Sequence, residues 1–148
     1  MARVLRRVVV DTGPIVSVML DDPAAAEVSS ALDGRECSVS VVNVFEVLDV
    51  LIRVHRAPVN DASEALDRFL ADVARPIPAT RALAERAALL RARHYQRRDR
   101  DVSFADCFAI AAAMPDAEVA TSDTAIARVA RAEGLQVIAL PNARGRRP

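Results

Sequence analysis

The chain reads as an α/β domain built on a mostly parallel central sheet, on three observations. Short β-branched runs alternate with helix-like segments along the sequence. At 148 residues and 52% hydrophobic side chains, it is long enough for one buried core and too apolar for disorder. An acidic residue also stands at each of four strand-to-helix junctions: Asp11, Glu46, Asp106 and Asp123.

Residues 8–10, all valine, make the first strand. Thr12-Gly13-Pro14 then opens a helix with Pro14 at its first position, where a missing N–H is harmless. Short helices over 14–20 and 24–32 are split by Asp22-Pro23, Gly34 breaks the second, and 38–42 reads as strand two. Asn43 is expected to cap a helix running to about His55, ahead of Pro58. Residues 61–74 form another helix and 75–78 a short strand or loop. Residues 79–97 form a long helix with Leu83, Ala87 and Leu90 along one face. The rest reads as helix 103–113, strand 118–121, helix 125–133 closed by Gly134, and a last strand over 136–140. Residues 1–141 thus make a single domain, and the Arg-rich 142–148 a disordered tail.

Composition removes several classes of function. All 20 basic residues are arginine, and without lysine there is no P-loop and no Schiff-base chemistry. Two histidines, His55 and His94, and no serine elbow give a nucleophilic triad little support. Cys37 and Cys107 fit neither a disulfide framework nor a zinc pattern and read as small buried hydrophobes. No apolar run approaches the ~18 residues of a membrane span. The basic start gives way to Asp11 too early for a signal-peptide core, so a cytoplasmic protein without a membrane partner is expected. Net charge is zero, but setting aside the four junction acids leaves the remainder at +4.

Each junction acid has an ordinary role available. Asn43 to Glu46 and Ser103 to Asp106 match capping boxes, and Asp11 and Asp123 are natural helix caps. As a set they say more, because the fold class sends all four junctions to the carboxyl edge of the sheet, where ligands bind. At ~5 Å and an effective dielectric of ~20, each like-charged pair costs roughly 3 kcal/mol. A divalent cation relieves that repulsion, and hard oxygen donors suit Mg²⁺ or Mn²⁺. Thr12, Thr121 and Ser122 neighbour the acids and can orient them. Asp49 reads instead as an i,i+4 partner of Arg53, and Asp101 as a surface-loop residue within reach of a second metal. The segment 91–100 carries five arginines against Asp99, either a solvated helix end or a guide for phosphates. The four phenylalanines sit in apolar runs and read as core, which leaves base stacking without support.

In order and spacing these pieces resemble a PIN domain, and more closely a VapC-type toxin of bacterial toxin–antitoxin pairs. The matching stretches are Val9-Val10-Asp11-Thr12-Gly13, Asn43-Val44-Phe45-Glu46-Val47-Leu48, Ser103-Phe104-Ala105-Asp106-Cys107-Phe108-Ala109-Ile110-Ala111 and Ala120-Thr121-Ser122-Asp123. The ending from Arg128-Val129-Ala130 to Pro141 also fits, so the likeness covers about residues 7 to 141. The resemblance implies a PIN-like α/β/α sandwich and a Mg²⁺- or Mn²⁺-dependent endoribonuclease acting on RNA. It makes Asp11, Glu46, Asp106 and Asp123 both catalytic and metal-binding, with Asp11 and Asp106 holding the principal ion. It also implies a homodimer and a cognate VapB-like antitoxin whose C-terminal segment lies near the active site. Ile15, Val16, Val18, Met19 and Leu20 would then help form its groove, although core packing explains them as well. The alternative is a catalytically inert PIN-like module that binds RNA or protein. A haloacid-dehalogenase-type phosphatase would need an acid where Gly13 stands, and it and a receiver domain would both need a lysine.

Overall fold

In the computed structural model, residues 6–148 are described; the basic start at 1–5 lies outside the described residues. Five strands, β1 (Arg7–Val10), β2 (Glu36–Ser40), β3 (Ala74–Ile77), β4 (Glu118–Thr121) and β5 (Val137–Ala139), form one sheet in the order β3-β2-β1-β4-β5. Every pairing is parallel. The chain runs from β1 outward to β3 and returns to β4 on β1's other side. The topological switch point, where a crevice opens beyond the strand ends, therefore lies between β1 and β4.

Alternation along β1 sends its side chains to two cores. Val8 and Val10 pack with α1 (Thr12–Leu20), α2 (Ala25–Leu32), α3 (Val41–Asp49) and α4 (Val59–Asp72), through Ile15, Val28, Val47 and Phe69. Val9 packs on the opposite face with α5 (Arg81–His94), α6 (Phe104–Ala113) and α7 (Thr124–Ala132), through Leu90, Ile110 and Ile126. The result is an α/β/α sandwich whose central strand β1 is covered on both faces, which is why Val8 to Val10 are apolar at consecutive positions.

Most elements lie within a few residues of their expected places. The largest difference is at β2, which ends at Ser40 rather than at residue 42. Ser40, not Asn43, caps α3, its hydroxyl accepting from the Val42 N–H at 3.1 Å. Asn43 is wholly buried inside the helix, recruited by a tertiary hydrogen bond to Thr12 rather than by the helix end. Glu46 thus sits in the second helical turn, and the helix runs on through a π-helical turn at Val50–Val54. Residues 75–78 resolve as the edge strand β3, the position at which Pro76 is tolerated. Ser103 and Asp106 do form a reciprocal capping box. The tail at 142–148, expected to be disordered, forms a turn in which the Asn142 side chain accepts from the Arg144 and Arg146 N–H groups. Arg147 closes it against Glu27 and the Ala139 carbonyl.

The amino edge of the sheet is charge-paired. Glu118 at the start of β4 takes Arg35 at 2.6 Å and Arg6 at 3.8 Å, and Arg7 meets Asp116. A second network ties α5 to α7: Glu133 accepts from Arg93 at 2.9 Å and from His94 Nε2 at 2.5 Å, while Arg100 donates to His94 Nδ1. Both His94 and Glu133 are largely buried, at 12% and 14% side-chain exposure, so losing one strands the other. Glu133→Ala should therefore destabilise the fold by about 2 kcal/mol. Glu85→Ala, which removes an exposed i,i+4 pair with Arg81, should change it by less than about 0.5 kcal/mol, both read from urea midpoints.

Candidate active site

The carboxyl edge of the sheet carries the opposite arrangement from the amino edge. Asp11 leaves β1, Glu46 projects from α3, Asp106 occupies the first turn of α6, and Asp123 caps α7 after β4. Among the described residues, none of the four is paired with a basic side chain.

Asp11 is the anchor. Its residue is 4% exposed, its N–H is bonded to the Ala120 carbonyl at 3.0 Å, and its Oδ2 accepts from the Thr121 hydroxyl at 3.0 Å. The same Thr121 oxygen accepts from the Asp123 N–H at 3.0 Å, so one hydroxyl ties two junctions together across the switch point. Asp11 Oδ1 is buried without a hydrogen-bond partner. Gly13 lets the start of α1 approach this junction, for a methyl group there would lie 2.8 Å from the Ser122 hydroxyl.

The other three acids repeat a pattern. Glu46 Oε2 accepts from the Thr12 hydroxyl at 2.9 Å, and that hydroxyl accepts from the Asn43 amide at 3.1 Å. Asp106 Oδ2 accepts from the Ser103 N–H at 2.6 Å, and Asp123 Oδ1 accepts from the Ile126 N–H at 3.0 Å. In each carboxylate one oxygen is fixed by the scaffold, and the other has no hydrogen-bond partner among the described residues.

Burial and charge repulsion hold Asp11 and Asp106 toward their neutral forms. Desolvation, with the Asp106 charge second, raises the Asp11 pKa to about 7 against the lowering effect of Thr12 and Thr121. Desolvation also raises Asp106 to about 6, with Asp123 and Glu46 adding repulsion against the Ser103 hydrogen bonds. Asp11 and Asp106 thus feel each other and Glu46, and Asp106 feels Asp123: the four predicted acids share one electrostatic site. Asp49 stays out of it, held by Arg53 at 2.7 Å as the spacing predicts.

Among the described residues, no three acidic, histidine or cysteine side chains converge tightly enough to enclose an ion by themselves. A Mg²⁺ ion does not require such a cage, since it keeps several waters and binds through one or two carboxylates. The donor set is all hard oxygen, and the unpartnered buried Asp11 Oδ1 is the kind of atom a cation satisfies. The residues present fit a divalent metal.

Three side chains at this edge escape the sequence reading. Asn43, read as a cap, is a buried link to Thr12, and its own Oδ1 has no partner. Its place one turn before Glu46 is the signal that identifies it. Phe45 and Phe104, read as core, are each 70% exposed and stand in the same helical stretches as Glu46 and Asp106. Apolar runs do not distinguish them, because helix α6 turns alanines inward and leaves Phe104 at its first position.

A PIN domain family model matches residues 8–132. Among solved structures, the chain is similar to VapBC2 from Rickettsia felis bound to a promoter DNA fragment, with TM-score 0.64 and 13% identity over 90% of this chain and 98% of that one. VapBC-1 from nontypeable Haemophilus influenzae gives 0.60 and 16% over 89% and 96%. FitAcB from Neisseria gonorrhoeae gives 0.59 and 20% over 88% and 96%. At these identities the likeness is one of fold. Among curated proteins no sequence match is found.

The raised carboxyls set the pH dependence of the metal-free protein. Because both pKa values are higher in the folded chain than the ordinary 3.8, the folded state binds more protons, and stability falls as pH rises from about 4 through 7. For Asp11 alone, holding the ionised form opposes folding by on the order of 4 kcal/mol. In EDTA the melting temperature should be higher at pH 5 than at pH 8, and Asp11→Asn should flatten the difference. A melting temperature that rises from pH 5 to pH 8 would show that the cluster does not carry this strain.

Proposed function

The chain belongs to the PIN domain family, and from that premise we propose that it is a metal-dependent endoribonuclease and the toxin of a type II toxin–antitoxin pair. The observation that carries the proposal is the set of four carboxylates without counter-ions at the sheet's carboxyl edge, with Asp11 buried and one of its oxygens unpartnered. Asp11 and Asp106, the two whose pKa values are most disturbed, would hold the principal Mg²⁺ or Mn²⁺. Glu46 and Asp123 would complete its surroundings or hold a second ion.

A divalent cation bound there supplies positive charge that polarises the scissile phosphate and acidifies a water. The chain's own groups do the positioning. Thr121 holds Asp11 by one oxygen and leaves the other, buried and without a hydrogen-bond partner, available to a cation. Thr12, steadied by Asn43, does the same for Glu46, and the capping box does it for Asp106. Carboxylates fixed in this way need little reorganisation when charge develops on the reacting phosphate. Glu46 and Asp123, less buried than Asp11, are the groups suited to accept a proton from the attacking water.

The toxin reading draws on the solved structures of similar fold, which include VapBC pairs and a toxin–antitoxin complex from Klebsiella pneumoniae. A VapB-like antitoxin is the partner this predicts, and a homodimer the assembly. RNA is the proposed substrate, guided by the arginines of 91–100. No helix among the described residues is long and apolar enough to cross a membrane.

The deciding experiment is 5′-end sequencing of total bacterial RNA incubated with the purified protein in Mg²⁺. New ends at a few positions, lost with EDTA and with Asp106→Asn, are expected. New ends that persist in both controls would overturn the metal assignment, and none in any lane would return the inert module. Thr121→Val, which releases Asp11 without touching the carboxylates, should lower the affinity for Mn²⁺ by about 10- to 100-fold, read by titration of the metal alone.

A further inference from the structure

We infer that the groove between α5 and α6 binds an unpaired nucleobase of the RNA, stacked on Phe104 in the helical turn that carries Asp106; the inference rests on the ribonuclease reading above. The groove encloses about 510 Å³, within the roughly 300–1,000 Å³ of sites for small ligands. Small side chains along α5, Ala84, Ala88 and Ala92, open the space, and Tyr95, Phe104 and Phe108 line it. Arg91 lies between two of these rings, its guanidinium carbon 4.4 Å from the Tyr95 centroid and 4.7 Å from that of Phe104. The Arg91 Nε–H is fixed to the Val102 carbonyl at 3.2 Å, and Arg91 has no acidic partner among the described residues.

A planar cation stacked between aromatic rings is already the arrangement that single-stranded nucleic acid extends. Base faces stack on the rings, and the guanidinium charge and the nearby arginines attract the backbone. Phe104 has the surface to offer, being 70% exposed where Ile110 of the same helix is buried and Phe108 half-buried. A paired base has no free face, so the groove selects for unpaired RNA. Charge favours RNA over a second copy of this chain. Groove-to-groove docking would bring two segments of five arginines each, Arg91, Arg93, Arg97, Arg98 and Arg100, against one another. Phe104 and Cys107, which line the groove, stand on either side of Asp106 in the first turn of α6, so a base held there belongs to the strand whose phosphates would reach the carboxylates.

The test uses the full chain carrying Asp106→Asn, so that RNA is bound without being cut. Binding of fluorescent single-stranded RNA 12-mers is measured by anisotropy, with the same strands made duplex and with strands bearing abasic positions. Phe104→Ala should weaken single-strand binding about tenfold and Phe104→Trp should restore it. Leu89→Ala, an exposed position on α5 outside the groove, should leave it unchanged. On abasic strands Phe104→Ala should lose nothing further, since the partner of the ring is already gone. Equal losses on intact and abasic strands, equal binding of duplex, or a Phe104→Ala protein whose sedimentation shifts from dimer to monomer would each overturn the inference. If the parent protein binds none of these RNAs, the ribonuclease reading falls with it; if it binds and Phe104→Ala matches it, only this inference falls.

Discussion

Everything at the carboxyl edge of this sheet depends on burying the Asp11 carboxyl at the switch point between β1 and β4. A lone carboxylate in that position is costly, and the fold lowers the cost only in part, through one hydroxyl and one backbone N–H. Thr121 is the economical element of the design. Its oxygen donates to Asp11 and accepts from the Asp123 N–H, so the ends of two neighbouring strands are locked in register by the group that orients the anchor. Gly13 adds to the constraint, because a Cβ there would lie 2.8 Å from the Ser122 hydroxyl and force that side chain to move.

The two edges of the sheet share one chemistry with opposite outcomes. At the amino edge Glu118 is matched by arginines, and the pairs link β1, β2 and β4. At the carboxyl edge each acid keeps an oxygen without a hydrogen-bond partner. A fold selected for stability alone would have matched both edges, for a buried unpaired charge is among the most expensive features a domain can carry. Unpaired acids kept in one place while the cores on both faces of the sheet are well packed are a sign of a site rather than of poor design.

Much of this was legible in the sequence, and the reasons differ from element to element. The central strands were readable because burial on both faces leaves consecutive apolar positions, Val8 to Val10 in β1 and Val119-Ala120 in β4. The α6 start was readable because a capping box leaves a local signature, and Ser103 and Asp106 form one. The start of α3 was not: Ser40-Val41-Val42-Asn43 holds β-branched residues and two possible caps, and only the contact between Asn43 and Thr12 decides between them. That contact joins residues 31 apart and leaves no local trace. The convergence of the four acids followed from fold class, whereas their division into one fixed and one free oxygen depends on partners that only the folded chain brings near. The exposure of Phe104 was missed for a related reason. An apolar residue at a helix's first position can face the core or the solvent, and the decision lies in how α5 and α6 pack.

Electrostatics also orders the events at such a site. On the ribonuclease reading proposed above, the four acids and the phosphates of an RNA strand carry the same sign, so bare carboxylates would repel the substrate. The arginines of 91–100 would attract the strand but do not neutralise the cluster, since none of them pairs with it among the described residues. A cation would therefore have to be in place before, or arrive with, the scissile phosphate. Such a cation would also offset the charge repulsion that adds to desolvation at Asp11 and Asp106, so its binding would stabilise the fold and prepare the site in one step. Attraction of the strand and tolerance of its phosphate are thus assigned to different parts of the surface, and the zero net charge of the chain conceals both.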